Sequence, residues 1–136
     1  MTPESRENIK TSFAALEPRA GELTGLFYAK LFAAYPGVRP LFPEDVKPQS
    51  AKLAASLAAV VANIDDLSVV VPTLKAMGKR HVGYGAEPAH YGAVRDTLLE
   101  AMAELAGDLW NDTLQQDWTT AINLVADVML QGASEA

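Results

Sequence analysis

Apolar residues in this chain recur three and four positions apart in six separate stretches, with proline or glycine standing between them. That spacing puts each set on one face of a helix, and no pair of stretches alternates as half-buried strands would. Thr2, Pro3 and Glu4 start the first helix with a capping hydroxyl, a proline suited to the first turn and a negative charge at the positive end of the helix dipole. Ile9, Phe13 and Leu16 form its apolar face. Glu17-Pro18 breaks it, because proline disfavours helical geometry in the residue before it. A second helix from near Arg19 carries Leu23, Leu26, Phe27, Tyr28, Leu31, Phe32 and Tyr35 as one aromatic-rich stripe, and Pro36-Gly37 ends it.

Pro36 to Phe42 reads as a short helical corner, and Pro40, Pro43 and Pro48 stiffen the connection that follows. The alanine-rich segment from Gln49 to Asn63 favours a helix, with Leu53, Leu57, Val60, Val61 and Ile64 buried and Gln49 one turn before Leu53 on the same side. Val69 to Val71, beside Pro72, reads as a bend rather than a strand, followed by a helix that Gly83 and Gly85 end. Glu87-Pro88 opens the next, where Tyr91, Val94, Leu98, Met102 and Leu105 share a face up to Gly107. The last begins near Trp110 or Asn111, buries Leu114, Trp118, Ile122, Val125 and Met129, and is expected to fray at Gly132. The fold class is all-α with six to eight helices, and their uneven lengths favour irregular, crossed packing over an up-down bundle.

With 136 residues, 49% hydrophobic and 21% charged, the chain reads as one globular domain over 1–136, large enough to enclose something bulky. A net charge of −6 and the lack of a Lys/Arg cluster argue against a nucleic-acid partner. There are no cysteines, which excludes a disulfide scaffold, a thiolate metal site and a thiol nucleophile. The N-terminus lacks a signal pattern and the apolar run from Leu53 to Ala62 is too short to span a bilayer, so a cytoplasmic chain away from the membrane is expected.

Leu74, Met77 and His81 fall at i, i+3 and i+7, which places the imidazole on an apolar stripe, apart from Lys75, Lys79 and Arg80. A lone histidine there is more often a satisfied core residue than a ligand. Tyr28 and Gln49 are also polar groups on otherwise buried faces, and inward polar groups need partners. Tyr91 suits a core position equally well. His90 is expected at the solvent beside Pro88, Trp110 and Trp118 in packing roles, and Asp65 and Asp66 as capping or solvated charge.

The stretch KRHVGYGAEPAHY, with a histidine ending one helix and a tyrosine ten residues later opening another, resembles the proximal side of bacterial single-domain globins and of the globin domain of flavohaemoglobins. LFYAKLFAAYPGVRPLF is similar to their second helix and the corner after it, and the likeness covers nearly the whole chain. The resemblance implies a globin fold around a haem pocket, with a b-type haem whose iron His81 ligates. It makes Phe42 the aromatic wedged against the porphyrin, and Tyr28, Gln49 and Leu53 the distal pocket. A phenol O–H and an amide N–H there would stabilise negative charge gathering on a gas held at iron.

The same resemblance makes Tyr91 the partner of a carboxylate that strengthens the histidine as a donor, and extension from Trp118 puts Glu135 at the carboxylate position. Glu135 suits a solvated tail equally well, since Gly132, Ala133 and Ser134 precede it. Lys52 and Arg80, beside Leu53 and His81, are solvated charges or propionate partners. The implied ligands are O2, NO and CO. The implied activity is NO dioxygenation or a peroxidase-like reaction, with a separate reductase expected because the chain stops at Ala136. The alternatives are an O2 binding, storage or delivery protein without obligatory turnover, and a haemless globin-like sensor module.

Overall fold

The computed structural model describes residues 1–135. Among them run six α-helices: α1 (Pro3–Leu16), α2 (Ala20–Ala34), α3 (Lys47–Ala62), α4 (Val71–Gly83), α5 (Pro88–Ala106) and α6 (Asp112–Ser134). Short 3-10 turns occupy Glu17–Arg19, Pro36–Leu41, Leu67–Val70 and Gly107–Leu109. The all-α class and the helix count match the periodicity, and no strand occurs among the described residues. None of the helices is long and apolar enough to cross a membrane.

The helix starts follow local chemistry. Thr2 caps α1 by accepting from the Ser5 amide at 3.0 Å, and Asn111 caps α6 by accepting from the Leu114 amide at 2.8 Å. Pro48 lies in the first turn of α3, where its missing N–H costs nothing, so that helix begins at Lys47, two residues before the expected start. Asp66 caps the turn before α4, and Asp65 pairs with Arg6 and Lys10 of α1.

Three expectations are corrected. Tyr35 is not on the buried stripe of α2; it is the residue after the last turn, and its side chain is exposed. His90 is half-buried rather than free in solvent: its Nδ1 accepts the Glu87 amide at 2.9 Å while the Glu87 carboxylate accepts from the His90 backbone, a reciprocal cap on α5. Gly132 does not fray α6, which continues to Ser134 because Gly132 is buried against another helix.

Ile9, Leu23, Leu31, Met102 and Trp118 are the most completely buried large side chains, and they tie α1, α2, α5 and α6 together. Each contributes roughly 2–3 kcal/mol by leaving water. Trp118 also satisfies its indole N–H, which donates to Ser12 Oγ at 2.9 Å, while that hydroxyl donates to the Asn8 carbonyl at 2.7 Å. The broadest packing joins α4 to α6 and α2 to α5, which leaves α3 and α4 as the two walls of a cleft.

Candidate functional site

Pro72 opens α4, and Leu74, Met77 and His81 follow on one stripe, with Leu74 buried and His81 half-buried. The Nδ1 of His81 lies 2.6 Å from the Met77 carbonyl oxygen. A carbonyl only accepts, so Nδ1 carries the proton and donates, and Nε2 keeps its lone pair. The ring is flanked by Tyr84 at 5.4 Å between centroids and by Tyr91 at 6.4 Å. Gly85, with φ of 86°, turns the chain after α4 in a conformation that a side chain would strain, and so leads it back toward α5 and Tyr91.

Tyr91 is half-buried, its hydroxyl is enclosed without a hydrogen-bond partner, and burial raises its pKa. The expected carboxylate partner is elsewhere. Glu135 follows the last turn of α6 at the surface, where its Oε1 meets Lys75 Nζ at 3.1 Å. The unbroken run of α6 brings that carboxylate to the outer side of α4, so a Tyr91–Glu135 pair is not formed.

Tyr28 of α2 is buried at 7% exposure and makes no protein hydrogen bond among the described residues. Its ring lies edge-on to Phe27 at 4.9 Å and to Phe42 at 5.7 Å, and Phe32 packs 5.3 Å from Phe42. This enclosure pushes the Tyr28 phenol up to about 12, because the anion would lose its hydration. Phe42 is held by an element that the periodicity did not reveal. Arg39 lies 4.8 Å over the Phe32 ring and donates to the carbonyls of Phe42 at 3.3 Å, Pro43 at 3.0 Å and Glu44 at 2.9 Å, which fastens the corner.

On α3, Gln49 and Leu53 are half-buried, and Gln49 Oε1 is enclosed with no donor. A cavity of about 200 Å³ opens between α3 and α4, lined by Ala55, Ser56, Ala59, Val60, Leu74 and Met77 among others. Lys52 and Arg80 are exposed and form no ion pair with a described residue. The structure thus joins Tyr28 to Phe42 and His81 to Tyr91, and sets Gln49 and Leu53 on the helix that shares a cleft with α4. It adds Met77 and Tyr84 around His81. Their i−4 and i+3 offsets were legible in the sequence, but nothing there distinguished them from ordinary neighbours.

No group of three or more His, Asp or Glu side chains able to hold a metal occurs among the described residues. One imidazole with a free Nε2 suits a metal that arrives with its other ligands already attached, as in a porphyrin. The enclosed, unpartnered Gln49 Oε1 and Tyr91 hydroxyl fit the same picture, since buried polar atoms are normally paired.

The chain is 32% identical over 127 residues to a flavohemoprotein of Bacillus subtilis, covering 91% of this chain and 32% of that protein. It is 31% identical over 133 residues to a flavohemoprotein of Bordetella parapertussis, covering 96% and 33%. It therefore spans about a third of the length of these curated relatives. Among solved structures, it is similar to an engineered carbene transferase built on a candidate nitric oxide dioxygenase from Rhodothermus marinus, with a TM-score of 0.91, 27% identity and coverage of 99% of this chain and 94% of that one. A bacterial globin from Campylobacter jejuni gives a TM-score of 0.89, 25% identity and coverage of 98% and 97%. The family model for globins matches residues 25–129, a span that contains Tyr28, Phe42, Gln49, Leu53, His81 and Tyr91, and the chain belongs to the globin family.

Proposed function

We propose that this chain is a bacterial globin that holds a b-type haem through His81, binds O2 together with NO and CO, and supports NO dioxygenation with electrons from a reductase. The observation that carries the reading is the Nδ1 contact of His81 with the Met77 carbonyl at 2.6 Å, which leaves the Nε2 lone pair of that ring free to bind a metal. The relatives named flavohemoprotein and the candidate nitric oxide dioxygenase support it.

Bound haem supplies an iron centre that takes a diatomic gas and exchanges single electrons. The chain supplies orientation and polarity. His81 donates through Nε2, and its ring cannot turn without losing the Met77 hydrogen bond. Phe42 and Leu53 offer apolar surface to a flat macrocycle and keep water from it. Lys52 and Arg80, lacking carboxylate partners among the described residues, are cations available to meet its propionates.

Tyr28 keeps its O–H proton through the whole physiological range, so it acts as a donor and not as an anion. Gln49 contributes the other polar group, and its amide N–H answers an acceptor when the two ends of the amide are exchanged. Both donors favour a ligand that draws electron density. NO, O2 and one electron together give nitrate, so each turnover consumes an electron that the reductase restores. A peroxidase-like reaction draws less support, because the Glu135 carboxylate that would strengthen His81 is paired with Lys75.

The test is an absorption spectrum of the purified protein, oxidised and then reduced, with and without CO. A strong Soret band that shifts with CO is expected, and its absence after haem reconstitution would overturn the reading. NO-consumption kinetics with a reductant present then separate turnover from an O2 storage or delivery role: rapid reversible O2 exchange without nitrate formation would leave only the carrier.

A further inference from the structure

The helix that bears His81 rests on α6 through two glycines. A Cβ placed on Gly78 would lie 1.8 Å from the Met129 carbonyl oxygen, and one placed on Gly132 would lie 2.1 Å from the Lys75 carbonyl oxygen. Both collisions are with backbone, so no rotamer change can relieve them. The contacts are reciprocal: residues 75 and 78 of α4 meet residues 132 and 129 of α6, one helical turn apart on each, with the helices antiparallel. His81 stands three residues beyond Gly78, less than one turn further along.

We infer that Gly78 and Gly132 are positioning residues, a backbone-to-backbone seat that sets where the His81 imidazole stands. Helices spaced by side chains can adjust by rotamer changes. Backbones in direct contact cannot, because they are already at van der Waals limits and protein interiors compress little. Close approach of this kind also places Cα–H groups against carbonyl oxygens, a weak attraction that favours one register. The Lys75–Glu135 ion pair at 3.1 Å lies at the exposed edge of the same contact and, being solvated, adds little to it. A methyl group at either glycine must lift α4 from α6, and His81 travels with its helix.

The inference rests on His81 holding haem, and the experiment separates the two. Gly78→Ala, Gly132→Ala and the double variant are compared with Gly83→Ala, a change on the same helix where an added Cβ meets open space. The readouts are the iron–histidine stretching band of the reduced protein and the rate of haem transfer to excess apomyoglobin. Each seat variant is expected to shift the band and to lose haem about tenfold faster. Gly83→Ala should match wild type. The double variant should be little worse than the worse single one, since the first methyl has already lifted the helix.

An unchanged band and rate in Gly78→Ala and Gly132→Ala, or the same shift in Gly83→Ala, would overturn the seat, as would lowered stability with the band unmoved. If Gly78→Ala does not fold, Gly132→Ala, in the last turn of α6, gives the answer. Wild type that takes up no haem refutes the reading of the site instead. The seat is then read from the His81 ring resonances of the apoprotein, which should move in Gly132→Ala and stay in place in Gly83→Ala.

Discussion

His81 donates its Nδ1 proton to the carbonyl of Met77, one turn earlier on the same helix, across 2.6 Å. This one contact determines the tautomer, the direction of Nε2 and the freedom of the ring. It needs no distant residue, only a helix that has not frayed by residue 81.

Replacing that ring should abolish the proposed cofactor site. His81→Ala is expected to lose most haem affinity while keeping its helical circular dichroism, since His81 is only half-buried. Haem titration followed at the Soret band checks it, and stoichiometric haem with an unaltered spectrum would remove His81 from its role.

Tyr28→Phe deletes a hydroxyl and retains the ring packing against Phe27 and Phe42. O2 dissociation should accelerate about tenfold, the equivalent of ~1.4 kcal/mol for one hydrogen bond to a partly charged acceptor. Stopped-flow displacement of O2 by CO measures it. A rate within twofold of wild type would make Tyr28 a packing residue.

The same phenol gives a pH signature with a definite sign. Tyr28 is held protonated to about 12 when folded but ionises near its ordinary value of 10.0 when unfolded. Between these values the native state binds more protons than the unfolded one, so stability falls as pH rises through that window. Below it, both forms are protonated and Tyr28 adds no slope. Urea titrations at a series of pH values should show a shallower alkaline decline in Tyr28→Phe.

Ser12→Ala removes the acceptor of the Trp118 indole N–H in a site with 2% and 1% exposure at the two residues. Leaving that donor buried and unpaired should cost about 1–3 kcal/mol. Chemical denaturation gives the value, and the Soret spectrum should not change, because Ser12 and Trp118 lie on α1 and α6 among core residues away from His81.

Glu135→Gln tests the surface pairing with Lys75. An exposed ion pair of this kind is worth less than about 1 kcal/mol, so stability should barely move. The iron–histidine band should also stay put. A clear drop in its frequency would mean that the Glu135 carboxylate reaches the imidazole in solution.

The sequence by itself determined the helices, because capping groups, prolines and three-and-four spacing act over a few residues: Thr2, Pro36-Gly37 and Asn111 mark boundaries that the structure keeps. It also singled out His81, Tyr28 and Gln49, since a polar residue on an apolar stripe stands out within one helix. Tertiary structure decided what lies beyond one helix. Glu135 sits near the end of the chain, and only the uninterrupted course of α6 brings its carboxylate to Lys75 rather than toward Tyr91. Gly132 looked like a place for a helix to end, because a glycine's missing side chain reads as weakness until another backbone fills the space. Nothing in the local pattern around Arg39 showed that its guanidinium folds onto Phe32 and three carbonyls of the corner. Local pattern encodes which face is buried, whereas contacts between residues dozens of positions apart depend on helix register and approach, which only the packed chain defines.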